Sequence, residues 1–124
     1  MHRLVQIVRF ESARRLTKVP KEHPCSNLYG LSFRLEIHVE GEINPKTGFV
    51  VDFSKIESYF EPIKKKIDHN YLNDIEGLEN PTSEVLVKWI WENLKYELGN
   101  PEVVDLVKLV LWENDVSRVE YRGN

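Results

Sequence analysis

Alternating apolar and polar residues mark the clearest element of the chain, between positions 31 and 40. In the segment "LSFRLEIHVE", five apolar side chains alternate with five polar ones. Side chains of a β-strand point in turn to the two faces of a sheet, so this period of two predicts a strand with one buried face. We expect the apolar set to lie in the core.

Shorter apolar runs predict the other strands. Residues 3–10 are rich in Val and Ile and are predicted to form the first strand, followed by a polar loop over about residues 14–28. The segment "GEINPKTGF" carries Asn-Pro and Thr-Gly turn signals, so we expect a hairpin loop there, with "FVVDF" returning as a short strand. The segments "VVDLVKLVLWE" and "SRVEYRG" are predicted to be a closing pair of strands.

Two helices are predicted from apolar residues at near-helical spacing. The first runs from about Ser54 to Ile67, and Pro62 inside it is expected to kink or split the helix. The second runs from about Ser83 to Leu98. Thr82 is the expected N-cap of this second helix, and Gly99-Asn100-Pro101 is expected to end it.

The order of these elements, β-β-α-α-β-β, predicts the fold class. Strands that come in antiparallel pairs, with the helices between the pairs, are typical of an α+β fold with an antiparallel sheet and two helices on one face. The length of 124 residues predicts a single domain over residues 1–124. A small antiparallel sheet has open edges, which are often protected by oligomerisation.

Composition and charge exclude several classes of partner. The net charge of −3 gives no basic footprint for nucleic acid. No apolar stretch approaches the roughly 20 residues that span a bilayer, so no membrane partner is expected. The N-terminal segment "MHRLVQIVRF" is interpreted as a strand rather than a signal peptide. A single cysteine fits a reducing compartment, and we therefore expect a cytoplasmic protein.

Cys25 and the adjacent pair Asp68 and His69 are candidates for catalysis. An imidazole can lower the pKa of a thiol, and a carboxylate can orient that imidazole. Because Asp68 and His69 are neighbours in the chain, we do not expect them to bond to each other as distant triad residues do. The alternative is an inert buried cysteine beside a polar helix end.

Glu113 emerges from an apolar run, in "LVLWEN". A carboxylate at this point either meets solvent or binds a ligand, and one carboxylate accepts two parallel hydrogen bonds from the N–H/NH₂ edge of a pterin or guanine ring. No His-x-His, Cys-x-x-Cys or His-x-x-x-His spacing is present, so the residues alone do not indicate a zinc site.

Several segments, taken together, resemble the 6-pyruvoyltetrahydropterin synthase family, and within it the 6-carboxytetrahydropterin synthases of queuosine precursor synthesis. "FESARRL" is similar to the family's Phe-x-Ala-Ala-His-x-Leu, and "CSNLYGLSF" to its Cys-x-x-x-His-Gly-His-x-Tyr/Phe. "IDHNYLND", "LENPTSEVLVKWIW", "LWEN" and "EYRG" match further segments, so the resemblance covers almost the whole chain. It implies the tunnelling fold (T-fold), homo-oligomers such as trimers or hexamers, and sites at subunit interfaces.

The resemblance also implies roles for individual residues. Cys25 would be the general base, with Asp68 and His69 completing a catalytic relay. Glu113 would anchor the pterin ring. Thr82 and Ser83 match a stretch whose polar atoms touch that ring. The family's reaction eliminates triphosphate from 7,8-dihydroneopterin triphosphate.

The chain departs from the family at the zinc site. The three histidine positions hold Arg14, Tyr29 and Leu31, so no zinc cofactor is expected. Two hypotheses follow. The first is an enzyme that acts on 7,8-dihydroneopterin triphosphate or a related pterin without the zinc-dependent mechanism. The second is a zinc-free paralogue that only binds a pterin or purine-like ring, or that assembles with an active paralogue.

Overall fold

The computed structural model describes residues 1–99 and 104–124. Asn100 and Pro101, two of the predicted helix-stop residues, and Val103, the first residue of the predicted closing strand, lie outside this range. The elements in chain order are β1 (His2–Arg14), β2 (Tyr29–Gly41), α1 (Phe53–Ile67), β3 (Asn70–Tyr71), α2 (Ser83–Leu98), β4 (Asp105–Trp112) and β5 (Arg118–Tyr121).

The five strands form one sheet in the order β3-β1-β2-β4-β5. The pairs β1–β2, β2–β4 and β4–β5 are antiparallel, whereas the two-residue β3 pairs in parallel with the end of β1. Helix α1 packs on β1, α2 packs on β4 and β5, and the two helices contact each other. The predicted α+β class is confirmed, and β3 is an element that the sequence did not indicate.

The apolar face of β2 is the centre of the core, as the alternation predicted. Phe33, Leu35, Ile37 and Val39 are each at most 1% exposed. Strand β2 begins two residues earlier than predicted, because its pairing with β1 continues as far as the Arg14–Tyr29 pair. Arg14 is therefore the last residue of a strand rather than the first residue of a loop.

The predicted returning strand "FVVDF" is wrong. Val50 and Val51 are bends whose side chains pack against the core, and Asp52 caps α1 by accepting a hydrogen bond from the Ser54 N–H at 2.9 Å. Both edges of β2 are already paired, one with β1 and the other with β4, so no edge is left for a hairpin partner. The apolar run therefore serves packing instead of sheet formation.

Helix α1 is not split at Pro62, contrary to one form of the prediction. The helix continues from Phe53 to Ile67, with Pro62 on its exposed side. Proline lacks an N–H, so the carbonyl of Ser58 loses its helical donor. On the exposed side water can replace that donor. Neither described helix is both long and apolar enough to cross a membrane.

Leu35→Ala tests the assignment of β2 to the core. Leu35 is fully buried, so we expect the free energy of unfolding to fall by about 2–5 kcal/mol in urea denaturation. Leu28→Ala is the matched control, because Leu28 is 66% exposed and its loss should change stability by no more than about 0.5 kcal/mol. Equal losses in the two variants would contradict the assignment.

Candidate functional site

Arg14, at the end of β1, is the central residue of the site. The alternation that buries Phe10 and Ser12 also turns Arg14 inward, where it is only 2% exposed. Its guanidinium lies 5.3 Å from the ring centre of Tyr29 and 5.6 Å from that of Phe33. A buried charge is costly unless it is paired and hydrogen-bonded, so its partners define the site.

The guanidinium of Arg14 donates hydrogen bonds to four residues. Nε donates to the Tyr29 hydroxyl at 2.9 Å, and Nη1 donates to the carbonyl of Pro81 at 3.0 Å. Nη1 also lies 3.3 Å from the Ser83 hydroxyl, while Nη2 donates to Glu113 Oε1 and forms an ion pair with it. These contacts join the end of β1 to the start of β2, the N-terminus of α2 and the end of β4.

Glu113 follows β4 and is held by two donors. Its Oε1 accepts from Arg14 and from the Ser83 hydroxyl, the latter at 2.6 Å, whereas no described residue donates to Oε2. Burial alone would raise the pKa of Glu113, but the hydrogen bonds from Ser83 and Arg14 and the charge of Arg14 outweigh burial and lower this pKa. Glu113 is therefore an ionised acceptor at neutral pH.

A cavity of about 290 Å³ opens beside Glu113. Ser83, Glu84, Ser117 and Arg118 contribute to its walls. Thr82 is confirmed as the N-cap of α2, because its Oγ1 accepts from the Val85 N–H at 3.1 Å. The two residues predicted to touch a ring thus have different partners: Thr82 caps the helix, whereas Ser83 orients Glu113.

Cys25 lies at the other end of the same group of side chains. It is partly buried in a 3-10 turn, where its carbonyl accepts from the Leu16 N–H at 2.7 Å. Its thiol lies close enough to the Tyr29 hydroxyl to affect the pKa of Tyr29. Burial and the nearby Cys25 side chain raise the pKa of Tyr29 against the opposing effect of Arg14, so Tyr29 is a neutral phenol at neutral pH.

Asp68 and His69 lie away from Cys25 and form hydrogen bonds with the backbone of Glu11 in β1. Asp68 Oδ1 accepts from the Glu11 N–H at 2.9 Å, and the His69 N–H donates to the Glu11 carbonyl at 2.5 Å. The two side chains are nevertheless close, because His69 Nδ1 lies 3.1 Å from Asp68 Oδ1, a distance at which they form an ion pair when His69 is protonated. His69 has a left-handed backbone with φ of 57°, a conformation uncommon for residues other than glycine.

The structure thus brings together five of the candidate residues and leaves the others apart. Cys25, Tyr29, Arg14, Ser83 and Glu113 form a continuous chain of polar contacts, here called the Arg14 cluster. Among the described residues, no hydrogen bond or ion pair joins Cys25 to Asp68 or His69. Leu31 and His69 line a separate cavity of about 460 Å³.

The residues at the family's zinc positions do not fit a zinc ion. A guanidinium cannot be deprotonated in a protein, a neutral phenol is a poor ligand, and leucine has no donor atom. Arg14 and Tyr29 moreover bond to each other. Within residues 1–99 and 104–124, no group of three or more His, Cys, Asp or Glu side chains is placed to hold a metal.

Sequence reasoning missed the Arg14–Glu113 ion pair. The resemblance placed Arg14 at a zinc-histidine position, but nothing indicated that its partner is the carboxylate of the predicted ring anchor. One signal was available: Phe10, Ser12 and Arg14 share the inward face of an alternating strand, which predicts a buried arginine in need of a carboxylate. No local sequence pattern predicted that Asp68 and His69 would bond to Glu11.

Comparison with solved structures identifies the class of protein. The 6-pyruvoyl tetrahydropterin synthase of Caenorhabditis elegans superposes with a TM-score of 0.89 and 25% identity, over 99% of this chain and 96% of that one. The fold is therefore the T-fold of pterin synthase-like proteins, as the resemblance implied. The chain belongs to the 6-pyruvoyl tetrahydropterin synthase family, whose family model matches residues 3–124.

Two relatives show how the chain is related within that family. It is 40% identical over 97 residues to the 6-carboxy-5,6,7,8-tetrahydropterin synthase of Synechocystis, covering 74% of this chain and 73% of the relative. It is 42% identical over 93 residues to the dihydroneopterin monophosphate aldolase of Pyrococcus furiosus, covering 75% and 76%. Sequence identity therefore does not separate these two activities.

Glu113→Gln tests the ion pair through the pH dependence of stability. A carboxylate with a lowered pKa stabilises the fold above its ordinary value of 4.5, and this stabilisation is lost as the pH falls through the lowered value. We expect Glu113→Gln to cost about 1–2 kcal/mol at pH 7, the range for a charge-assisted hydrogen bond reduced by partial exposure.

The difference in stability between the wild type and Glu113→Gln should shrink in acid, because a protonated Glu113 resembles glutamine. Thermal unfolding of the two proteins between pH 7 and pH 3 measures it. Glu92→Gln, on an exposed position of α2, is the control and should show no such trend. A constant difference across this range would contradict an ionised Glu113 paired with Arg14.

Proposed function

We propose that this protein binds the ring of 7,8-dihydroneopterin triphosphate or a related pterin through Glu113, without a zinc-dependent step. One observation carries the proposal: an ionised carboxylate, with one oxygen to which no described residue donates, faces a cavity, while Arg14, Tyr29 and Leu31 fill the metal positions. The site has therefore kept a means of recognising the ring and has lost the donors for the metal.

The chemistry of Glu113 suits the N–H/NH₂ edge of a pterin. A carboxylate accepts two parallel hydrogen bonds from such an edge, and the lowered pKa of Glu113 keeps the group ionised, and so an acceptor, at neutral pH. Ser83 fixes the orientation of the carboxylate. The Thr82 hydroxyl accepts the cap bond, but its O–H is still available to donate to a ring.

The arrangement does not support the zinc-dependent elimination of the family. A metal ion would act there as a Lewis acid on the oxygens of the substrate side chain. The positive charge of Arg14 is no substitute, because Glu113 already neutralises it. We therefore favour ring binding without turnover. The protein would act as a zinc-free paralogue, or it would assemble with an active paralogue.

Any remaining chemistry at Cys25 requires a second copy of the chain. Within one chain Cys25 contacts Tyr29, whereas His69 lies on Glu11 and is 75% exposed. A relay from Cys25 to His69 therefore has to be completed across an interface between copies. We propose a homo-oligomer, a trimer or hexamer, with Asp68 and His69 supplied to the Cys25 of a neighbouring copy.

Fluorescence titration with a pterin tests the role of Glu113. Glu113→Ala removes a charged acceptor, so binding should weaken by at least about 10-fold. Glu92→Ala, on an exposed position of α2, should bind like the wild type. Both 7,8-dihydroneopterin triphosphate and the monophosphate should be titrated, because the two relatives do not separate them. Unchanged affinity for pterin in Glu113→Ala would contradict the assignment of Glu113 as the ring anchor.

Zinc titration against a chromophoric chelator tests the lost metal site. The wild type should not compete for one equivalent of zinc, whereas the variant Arg14→His/Tyr29→His/Leu31→His should, because it restores three imidazole donors. Stoichiometric zinc on the wild type, or zinc-stimulated release of triphosphate from 7,8-dihydroneopterin triphosphate, would defeat the zinc-free proposal.

A further inference from the structure

The Glu113 carboxylate has one occupied oxygen and one free oxygen. Oε1 accepts from both Arg14 Nη2 and Ser83 Oγ, while no described residue donates to Oε2. A carboxylate oxygen has two lone-pair positions, so both positions on Oε1 are filled. A ring edge that donates two parallel hydrogen bonds needs both oxygens. Such an edge can dock only if one of the present donors leaves Oε1.

Arg14 offers Glu113 the same chemistry as the ring edge does. A guanidinium is a planar N–C–N group with N–H donors side by side, which matches a carboxylate. The 2-amino and N3–H groups of a pterin form the same N–C–N arrangement. The two groups therefore compete for one acceptor, and the protein carries one of the competitors in its own chain.

Arg14 is better placed to leave Oε1 than Ser83 is. If Nη2 leaves Glu113, the guanidinium keeps its bonds to Tyr29 and Pro81 and its contact with the Ser83 hydroxyl. Ser83, in contrast, has Glu113 as the only described acceptor for its hydroxyl proton.

From these contacts we infer that Arg14 is an internal competitor of the ring for Glu113 and so sets the affinity of the site. This inference rests on the proposed function, since it concerns the same carboxylate. It makes the Arg14–Glu113 bond a built-in inhibitory contact, which a ligand with a guanidine-like edge displaces.

Arg14→Gln tests the inference in a fluorescence titration with pterin at pH 7. Without the charge-assisted bond from the guanidinium, Glu113 should bind pterin about 10-fold more tightly than in the wild type. Arg15→Gln is the matched control: Arg15 is the next residue, is exposed and bonds only to the Ser26 carbonyl through its side chain among the described residues. Its affinity should equal that of the wild type.

The outcomes separate the inference from the proposed function. If the wild type binds pterin and Arg14→Gln binds equally or more weakly, the inference is overturned and the proposed function stands. An equal gain in Arg15→Gln would also overturn it. If neither the wild type nor Arg14→Gln binds, the proposed function fails and the inference fails with it.

A second measurement does not depend on the folding of a variant. The guanidinium nitrogen signals of Arg14 in the wild type, observed by ¹⁵N NMR, should shift when pterin is added, because Nη2 loses its carboxylate partner. Arg15 provides the reference signal in the same spectrum. Saturating pterin without a shift at Arg14 would overturn the inference.

Discussion

The buried guanidinium of Arg14 is the constraint on which the site depends. At 2% exposure the charge needs hydrogen-bond acceptors around it, because a lone buried charge costs several kcal/mol. Glu113, Ser83, Pro81 and Tyr29 meet that need from three different parts of the chain: the end of β4, the N-terminus of α2 and the start of β2. The position of each of these groups therefore depends on one side chain.

This cluster changes what the family fold can do at this point. Arg14, Tyr29 and Leu31 stand where the family resemblance implies zinc-binding histidines. The side chains of Arg14 and Tyr29 bond to each other. Glu113 keeps its charge and faces a cavity, but it shares one oxygen with Arg14. The proposal of ring recognition without metal-assisted chemistry rests on these two features.

Sequence patterns predicted the parts of the fold that depend on local periodicity. The alternation of β2, the limits of α2 and the Thr82 cap are visible in neighbouring residues. The prediction of a returning strand at "FVVDF" was wrong, because a short apolar run does not show whether a sheet edge is free to pair with it. Pro62 was tolerated because its side of the helix meets water, which also depends on tertiary structure.

The sequence named the residues that form the Arg14 cluster, but it did not predict the contacts between them. Arg14 and Glu113 are 99 positions apart, and no local pattern couples two strand ends across such a distance. The contact between Asp68 and His69 occurs beside a left-handed backbone at His69, which the residue type does not suggest. Both residues bond to Glu11 of β1, far away in the sequence.

A crystal structure with bound pterin tests the central claim most directly, because it shows which donor occupies each oxygen of Glu113. We expect the N–H/NH₂ edge of the ring on both carboxylate oxygens, with Arg14 Nη2 moved off Oε1 and its bonds to Tyr29 and Pro81 retained. A pterin bound elsewhere, with Arg14 still on Oε1, would contradict the account.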